Sequence, residues 1–333
     1  MEHRKLGESD LELPVVTFGA WAIGGLFWGG SDDKDAIRAM QTAFDLGIDA
    51  IDTAPIYGCG HSETLVGQAL KGRRDTIKIL TKCGLRWDDK AGESFFTIKA
   101  PGGANVSVYK NVKAASIQHE CEQSLRRLGV ETIDLYQVHW LSASATAEET
   151  MGMLVRLKEQ GKIRQIGVCN YDARQLSDAV RFAPVVSDQI KYNLLERDIE
   201  TDPLPYCRKH NMGILCYSPM AMGLLSGHVT MNRQFPATDV RSTEPWFQPA
   251  NRRRVLAALE KIQPVADAHQ ATLAQLSVAW VLARQPVTTA LVGARTPEQV
   301  KENAGAARIK LSEDELSTVR RAFEELKVPG RFS

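Results

Sequence analysis

The chain has 333 residues, 44% hydrophobic and 24% charged, and its 41 Lys and Arg against 40 Asp and Glu give a formal net charge of +1. That balance offers no electrostatic attraction to nucleic acid or to an anionic membrane, so neither is expected as a partner. Six cysteines, Cys59, Cys83, Cys121, Cys169, Cys207 and Cys216, lie scattered without a CxxC pair and without a signal-like leader, which fits free thiols in a reducing cytoplasm.

The first residues carry the turn former Gly7-Glu8-Ser9-Asp10 between short alternating segments, which predicts a small hairpin capping the core from below. The uncharged run Leu13 to Ser31 is long enough for a membrane helix, but Gly19, Gly24, Gly25, Gly29 and Gly30 make it a strand, Val15 to Phe18, followed by a loop with Trp21, Phe27 and Trp28. A helix over Lys34 to Leu46 leads to a strand ending at Asp52. There Thr53-Ala54-Pro55-Ile56-Tyr57 reads as a turn, and Ser62 as the cap of a helix over Glu63 to Lys71. An acid and a phenol thus leave one strand tip together.

A strand over Ile77 to Lys82 follows, then a long loop from Cys83 to about Val108 with Trp87, Pro101, Gly102 and Gly103. Val112 to Arg127 reads as a helix, Ile133 to His139 as a strand, and Ala147 to Gln160 as a helix closed by Gly161. Strands at Ile163 to Cys169, Val185 to Ile190 and Gly213 to Tyr217 alternate with helices at Asp172 to Phe182 and Ile199 to His210. A second insertion, about Gly223 to Pro249, precedes helices at Asn251 to His269 and Leu273 to Arg284. Ala290 to Val292 makes the eighth strand, and helices at Glu298 to Ala304 and Glu313 to Glu325 end the chain. The alternation predicts an α/β fold of (β/α)8 type, a TIM barrel with an N-terminal hairpin cap and long loops at the C-terminal face, as one domain over 1–333.

Two motifs compete for a different reading. Cys59-Gly60-His61 lacks a second ligand pair with structural-zinc spacing, so no metal is expected. Gly58-x-Gly60 after a strand suggests a dinucleotide fingerprint, but Glu63 stands where the third glycine belongs and would repel a pyrophosphate.

Asp52, Tyr57, Lys82 and His139, in this order and each at or just beyond a strand end, resemble the catalytic tetrad of the aldo-keto reductase superfamily, and the resemblance extends over nearly the whole chain. It implies hydride transfer between a nicotinamide cofactor and a carbonyl, with Tyr57 as proton donor, Lys82 easing release of that proton, Asp52 holding Lys82, and His139 orienting the carbonyl oxygen. The same resemblance implies cofactor contacts at Gly19, Trp21 and Asp52. Cys169, where serine is usual, together with Asn170 and Gln189 would meet the carboxamide, and Tyr217 would stack on the ring. Ser218, Pro219, Met220, Gly223, Leu225 and Gly227 would follow the pyrophosphate, and Arg241 would be a further cofactor contact. Gly293, Arg295, Gln299, Glu302 and Asn303 would form an adenosine-phosphate site at a helix N-terminus, where Arg295 suggests NADP(H). Trp21, Trp28, Trp87 and Trp140 would line the substrate pocket, and small aldehydes, sugar-derived carbonyls and polyols would be the substrates. Because potassium-channel β subunits resemble the same superfamily, a cofactor-bound regulatory protein is the alternative.

Overall fold

The computed structural model describes residues 1–30, 32–100 and 103–326. Short apolar strands buried on both faces need helices over their outer side, and the alternating sequence supplies them. The hairpin β1 (His3–Lys5) and β2 (Glu12–Pro14) precedes β3 (Val16–Gly19), β4 (Ala50–Asp52) and β5 (Lys78–Cys83). After β6 (Leu85–Arg86), β7 (Glu93–Lys99) and β8 (Asn105–Lys110) come β9 (Ile133–Val138), β10 (Ile163–Cys169), β11 (Val185–Lys191), β12 (Gly213–Tyr217) and β13 (Val287–Gly293). Eight of these strands pair in parallel and close in the order β10-β11-β12-β13-β3-β4-β5-β9, which is the expected (β/α)8 barrel.

Around it lie α1 (Asp33–Asp45), α2 (His61–Ala69), α3 (Ala114–Leu128), α4 (Ala147–Glu159), α5 (Ala173–Ala179), α6 (Leu204–Lys209), α7 (Pro249–Ala268), α8 (Leu273–Leu282), α9 (Pro297–Gly305) and α10 (Glu313–Ala322). Among the described residues no helix is long and apolar enough to cross a membrane.

The barrel interior is layered. Leu6, Leu11 and Leu13 from the hairpin join Ala50, Leu80, Leu135, Val186, Leu215 and Leu291 in one apolar cluster that closes the bottom. Side chains two apart on a strand share a face, so Asp52, Lys82, Gln137 and Tyr217 stand one layer above Ala50, Leu80, Leu135 and Leu215. The sequence therefore puts apolar residues at the base and polar ones at the mouth of the same strands.

Three expectations need correction. The loop after Cys83 folds into an antiparallel sheet of its own, in the order β6-β8-β7, because Glu93–Lys99 and Asn105–Lys110 pair across a turn; Pro101 and Gly102 lie outside the described residues. The helix expected over Ile199 to His210 is instead a short turn at Asp198–Glu200 followed by α6, broken where Pro203 lacks an N–H to donate. Ser62 is not a cap: α2 starts at His61 after Gly60, whose φ of 92° opens the helix, and the buried Ser62 hydroxyl donates to the Ala20 carbonyl at 3.0 Å and meets Thr53 Oγ1 at 2.9 Å.

Candidate active site

Asp52 ends β4, and the turn after it brings Tyr57 back over the barrel mouth. That turn is pressed against the loop after β3, for a Cβ on Gly58, at φ 68°, would come within 2.3 Å of the Gly24 carbonyl oxygen. Lys82, near the end of β5, is fully buried, and its ammonium has three acceptors: Asp52 Oδ1 at 2.6 Å, the Thr53 carbonyl at 2.9 Å and Tyr57 Oη at 3.4 Å. Because Lys82 donates to the phenol oxygen, the phenol's own proton is directed elsewhere. His139 follows β9, its ring edge-on to Tyr57 with centroids 6.0 Å apart. The four sequence-predicted residues thus converge on one point.

Charge in this cluster follows from burial and pairing. Burial would lower the Lys82 ammonium, but Asp52 and then Tyr57 outweigh it and hold it above the ordinary lysine range. Burial and the Lys82 charge together push His139 well below the usual imidazole value, so it is neutral near pH 7 and can donate one N–H. Lys82 pulls the Tyr57 pKa down, as expected, but a larger effect acts against it. Burial pushes the phenol up to about 12, and the attraction of Lys82, offset by the charge of Asp52, does not reverse it.

The carboxamide candidates lie beside the tetrad. Gln189 Nε2 donates to Asp52 Oδ2 at 2.8 Å and to Gln137 Oε1 at 3.1 Å, while its own Oε1 takes no hydrogen bond among the described residues. An amide N–H brought there would find an open acceptor, which is what a nicotinamide carboxamide presents. Asn170, at φ 61°, donates to the His139 carbonyl at 3.3 Å and accepts from Tyr217 Oη at 2.9 Å, so it ties the stacking candidate to the tetrad. Cys169 is buried in register with Gln189, and burial holds its thiol well above the ordinary range. These residues fit the nicotinamide end of a cofactor.

Ser218, Pro219 and Met220 follow β12 into a tight turn in which Gly223 and Leu225 both donate backbone N–H to the Met220 carbonyl, at 3.0 and 3.1 Å, and Gly227 closes it at φ 80°. Gly19 and Gly293 sit in register at the ends of β3 and β13. Arg241 grips Asp239 through two nitrogens at 2.9 and 2.6 Å, with its guanidinium over the rings of Phe235 and Trp28 at 4.4 and 4.9 Å.

At the start of α9, Arg295 is half-buried, its Nη1 3.5 Å from the Trp28 carbonyl and 3.4 Å from that of Gly30; burial and the nearby Arg241 charge lower its pKa. Gln299 Oε1 accepts the Arg295 N–H at 2.8 Å, Asn303 Nδ2 donates to the Gly293 carbonyl at 3.2 Å, and the Glu302 carboxylate lies 3.7 Å from His228. The adenosine candidates are therefore together at a helix N-terminus, with Arg241 and Arg295 near the same loop.

The tryptophans gather at the mouth. Trp21 lies 6.3 Å from the Tyr57 ring and 5.2 Å from Trp28, edge-on to the latter. Trp87 and Trp140 join Tyr57, Phe95 and Phe96 around a second apolar cluster, with Trp140 5.5 Å from Phe95. Phe95 and Phe96, on β7, and Gln137, on β9, are site residues that the sequence expectations leave out. The signal for the phenylalanines is the alternation of Glu93 to Lys99, hidden among breakers; Gln137 is visible only as a polar residue inside an otherwise apolar strand.

Residues 15–324 match the Aldo/keto reductase family. The chain is 37% identical to an NADH-specific methylglyoxal reductase of Escherichia coli, over 98% of this chain and 100% of that one. It is 32% identical to an aldo-keto reductase of Schizosaccharomyces pombe whose name specifies NADP(+), over 98% and 93%. Among solved structures, a glycerol dehydrogenase from Gluconobacter oxydans superposes with a TM-score of 0.86 at 37% identity, covering 97% of this chain and 95% of that one.

Proposed function

Because the chain belongs to the aldo/keto reductase family, we propose that it reduces small aldehydes, ketones and sugar-derived carbonyls to alcohols, using NADPH and Tyr57 as general acid. The observation that carries the reading is the Asp52–Lys82–Tyr57 chain, its ion pair buried and its phenol half-buried, facing a neutral His139 beside an open amide acceptor. A bound nicotinamide supplies the hydride. His139 donates an N–H to the carbonyl oxygen and fixes its approach. Tyr57 holds its proton across the neutral range and delivers it to that oxygen as negative charge develops. Lys82, kept charged by Asp52, stabilises the phenolate left behind. The aromatic wall of Trp21, Trp87, Phe95 and Trp140 excludes water and favours small substrates with an apolar or sugar-like flank.

The names of the methylglyoxal reductase and glycerol dehydrogenase relatives support small oxygenated carbonyls and polyols as substrates. For cofactor choice, Arg295 at the α9 N-terminus supports NADP(H). Its contacts to the carbonyls of Trp28 and Gly30, together with the NADH-specific relative, favour a second reading in which Arg295 holds the loop and NADH serves. Incubating purified protein with a panel of carbonyls and either reduced cofactor tests the proposal. Carbonyl-dependent cofactor consumption supports it, and tight cofactor binding without turnover supports a regulatory, cofactor-bound protein instead.

A further inference from the structure

We infer that Gln137 is a positioning residue that orients the Gln189 amide toward the nicotinamide carboxamide and holds Asp52 against Lys82, an inference that rests on the reductase reading above. Gln137 is fully buried on the inner face of β9, in register with Lys82 on one side and Gly167 on the other. Its Nε2 donates to Asp52 Oδ2 at 3.3 Å, and its Oε1 accepts from Gln189 Nε2 at 3.1 Å.

A carboxylate has only acceptors, so both amides must turn their N–H groups toward Asp52. Gln189 then uses one N–H on Asp52 Oδ2 and the other on Gln137 Oε1, which leaves its own Oε1 as the atom to meet a ligand. The polarity of the carboxamide site is therefore set from behind, by a residue whose amide is engaged by Asp52 and Gln189. Removing Gln137 Oε1 deprives the second Gln189 N–H of its acceptor and loosens the last side-chain torsion, which is intrinsically broad.

The packing is arranged for this side chain. A Cβ on Gly167 would lie 3.0 Å from Gln137 Cγ and 2.8 Å from Ser187 Oγ, so the neighbouring strand omits a side chain where the Gln137 stem crosses. One layer lower the same strand carries Leu135, which shows that an apolar residue fits this interior. A buried amide here meets a demand for hydrogen bonds, not for volume.

The test compares wild type with Gln137→Met, similar in length and without polar side-chain N or O, and with Gln137→Asn, whose amide is too short to reach. Each is titrated with NADH, NADPH and, as probes lacking the nicotinamide, ADP-ribose and its 2′-phosphate. Losing a hydrogen bond of ordinary strength predicts that affinity for the preferred dinucleotide falls about five- to tenfold and kcat about tenfold, while the probes bind unchanged. An equal loss for probes and dinucleotides, or no loss for either, overturns the inference. Failure of wild type to consume reduced cofactor with any carbonyl would sink the parent reading alone, because the contrast between probe and dinucleotide does not depend on turnover.

Discussion

Replacing Asp52 by asparagine changes a few atoms and breaks a demand from three donors. The carboxylate accepts from Lys82 at 2.6 Å on one oxygen and from Gln189 and Gln137 at 2.8 and 3.3 Å on the other. Asparagine has one oxygen and one NH2. If its oxygen faces Lys82, its NH2 meets two amide N–H groups unless both glutamines turn round, which takes the Gln189 Oε1 away from the carboxamide site; turned round itself, its NH2 meets the ammonium. In every arrangement Lys82 loses its counter-charge with 1% of its side chain exposed, so solvent does not screen the loss. Breaking one side of a buried ion pair costs about 3–5 kcal/mol. At about 2 °C per kcal/mol for a chain this long, the melting temperature should fall about 6–10 °C. Burial, no longer opposed by Asp52, should also lower the Lys82 pKa, leaving an uncharged amine beside Tyr57 and abolishing most carbonyl reduction. Thermal and urea denaturation of the ligand-free proteins, with kcat in parallel, checks both. A melting temperature within about 2 °C of wild type would refute the account of Lys82 as a buried cation held by Asp52.

Arg295→Ala should weaken NADPH by about one to two powers of ten and leave NADH nearly unchanged, as loss of charge-assisted hydrogen bonds to a 2′-phosphate requires; equal losses would favour the loop-holding reading. Glu63 is fully buried and accepts from Arg127 and from Thr81, both at 2.7 Å, so Arg127→Met should destabilise the fold by about 3 kcal/mol in urea titration through an uncompensated carboxylate. A near-neutral result would refute the view that Arg127 is needed to hold the buried Glu63 side chain. Since the proton donor must be protonated and its pKa is raised to about 12, kcat/KM for reduction should stay level to about pH 9, while alcohol oxidation, which needs the phenolate, should rise with pH. A fall of reduction with an apparent pKa near 8 would mean that Lys82 outweighs burial.

The barrel was legible because its strands are apolar runs bounded by turn residues; Ile163–Cys169 and Gly213–Tyr217 match residue for residue, and the tetrad stood out because Asp52, Lys82 and His139 each lie at a strand end. What sequence missed depends on tertiary contact. Ser62 has the chemistry of a cap, but two neighbouring loops claim its hydroxyl. The sheet β6-β8-β7 forms because β7 and β8 pair as a hairpin and the two-residue β6 adds to its edge, and glycines and Pro101 within that stretch mask the alternation. The Tyr57 pKa is a contest between burial and Lys82, and residue types do not reveal which prevails. Gln137 reads as an ordinary strand residue until barrel closure places Asp52 and Gln189 against it.

The central claim is that Tyr57 delivers the proton, and the Tyr57→Phe variant, assayed for carbonyl-dependent oxidation of the reduced cofactor alongside cofactor titration, tests it most directly. The removed hydroxyl bonds Lys82 at 3.4 Å, whereas the carboxamide and adenosine candidates lie on other strands and loops. Loss of a general acid should lower kcat by about two to four powers of ten, with cofactor affinity changed less than about threefold. Turnover at the wild-type rate in this variant would contradict the assignment of the proton to Tyr57.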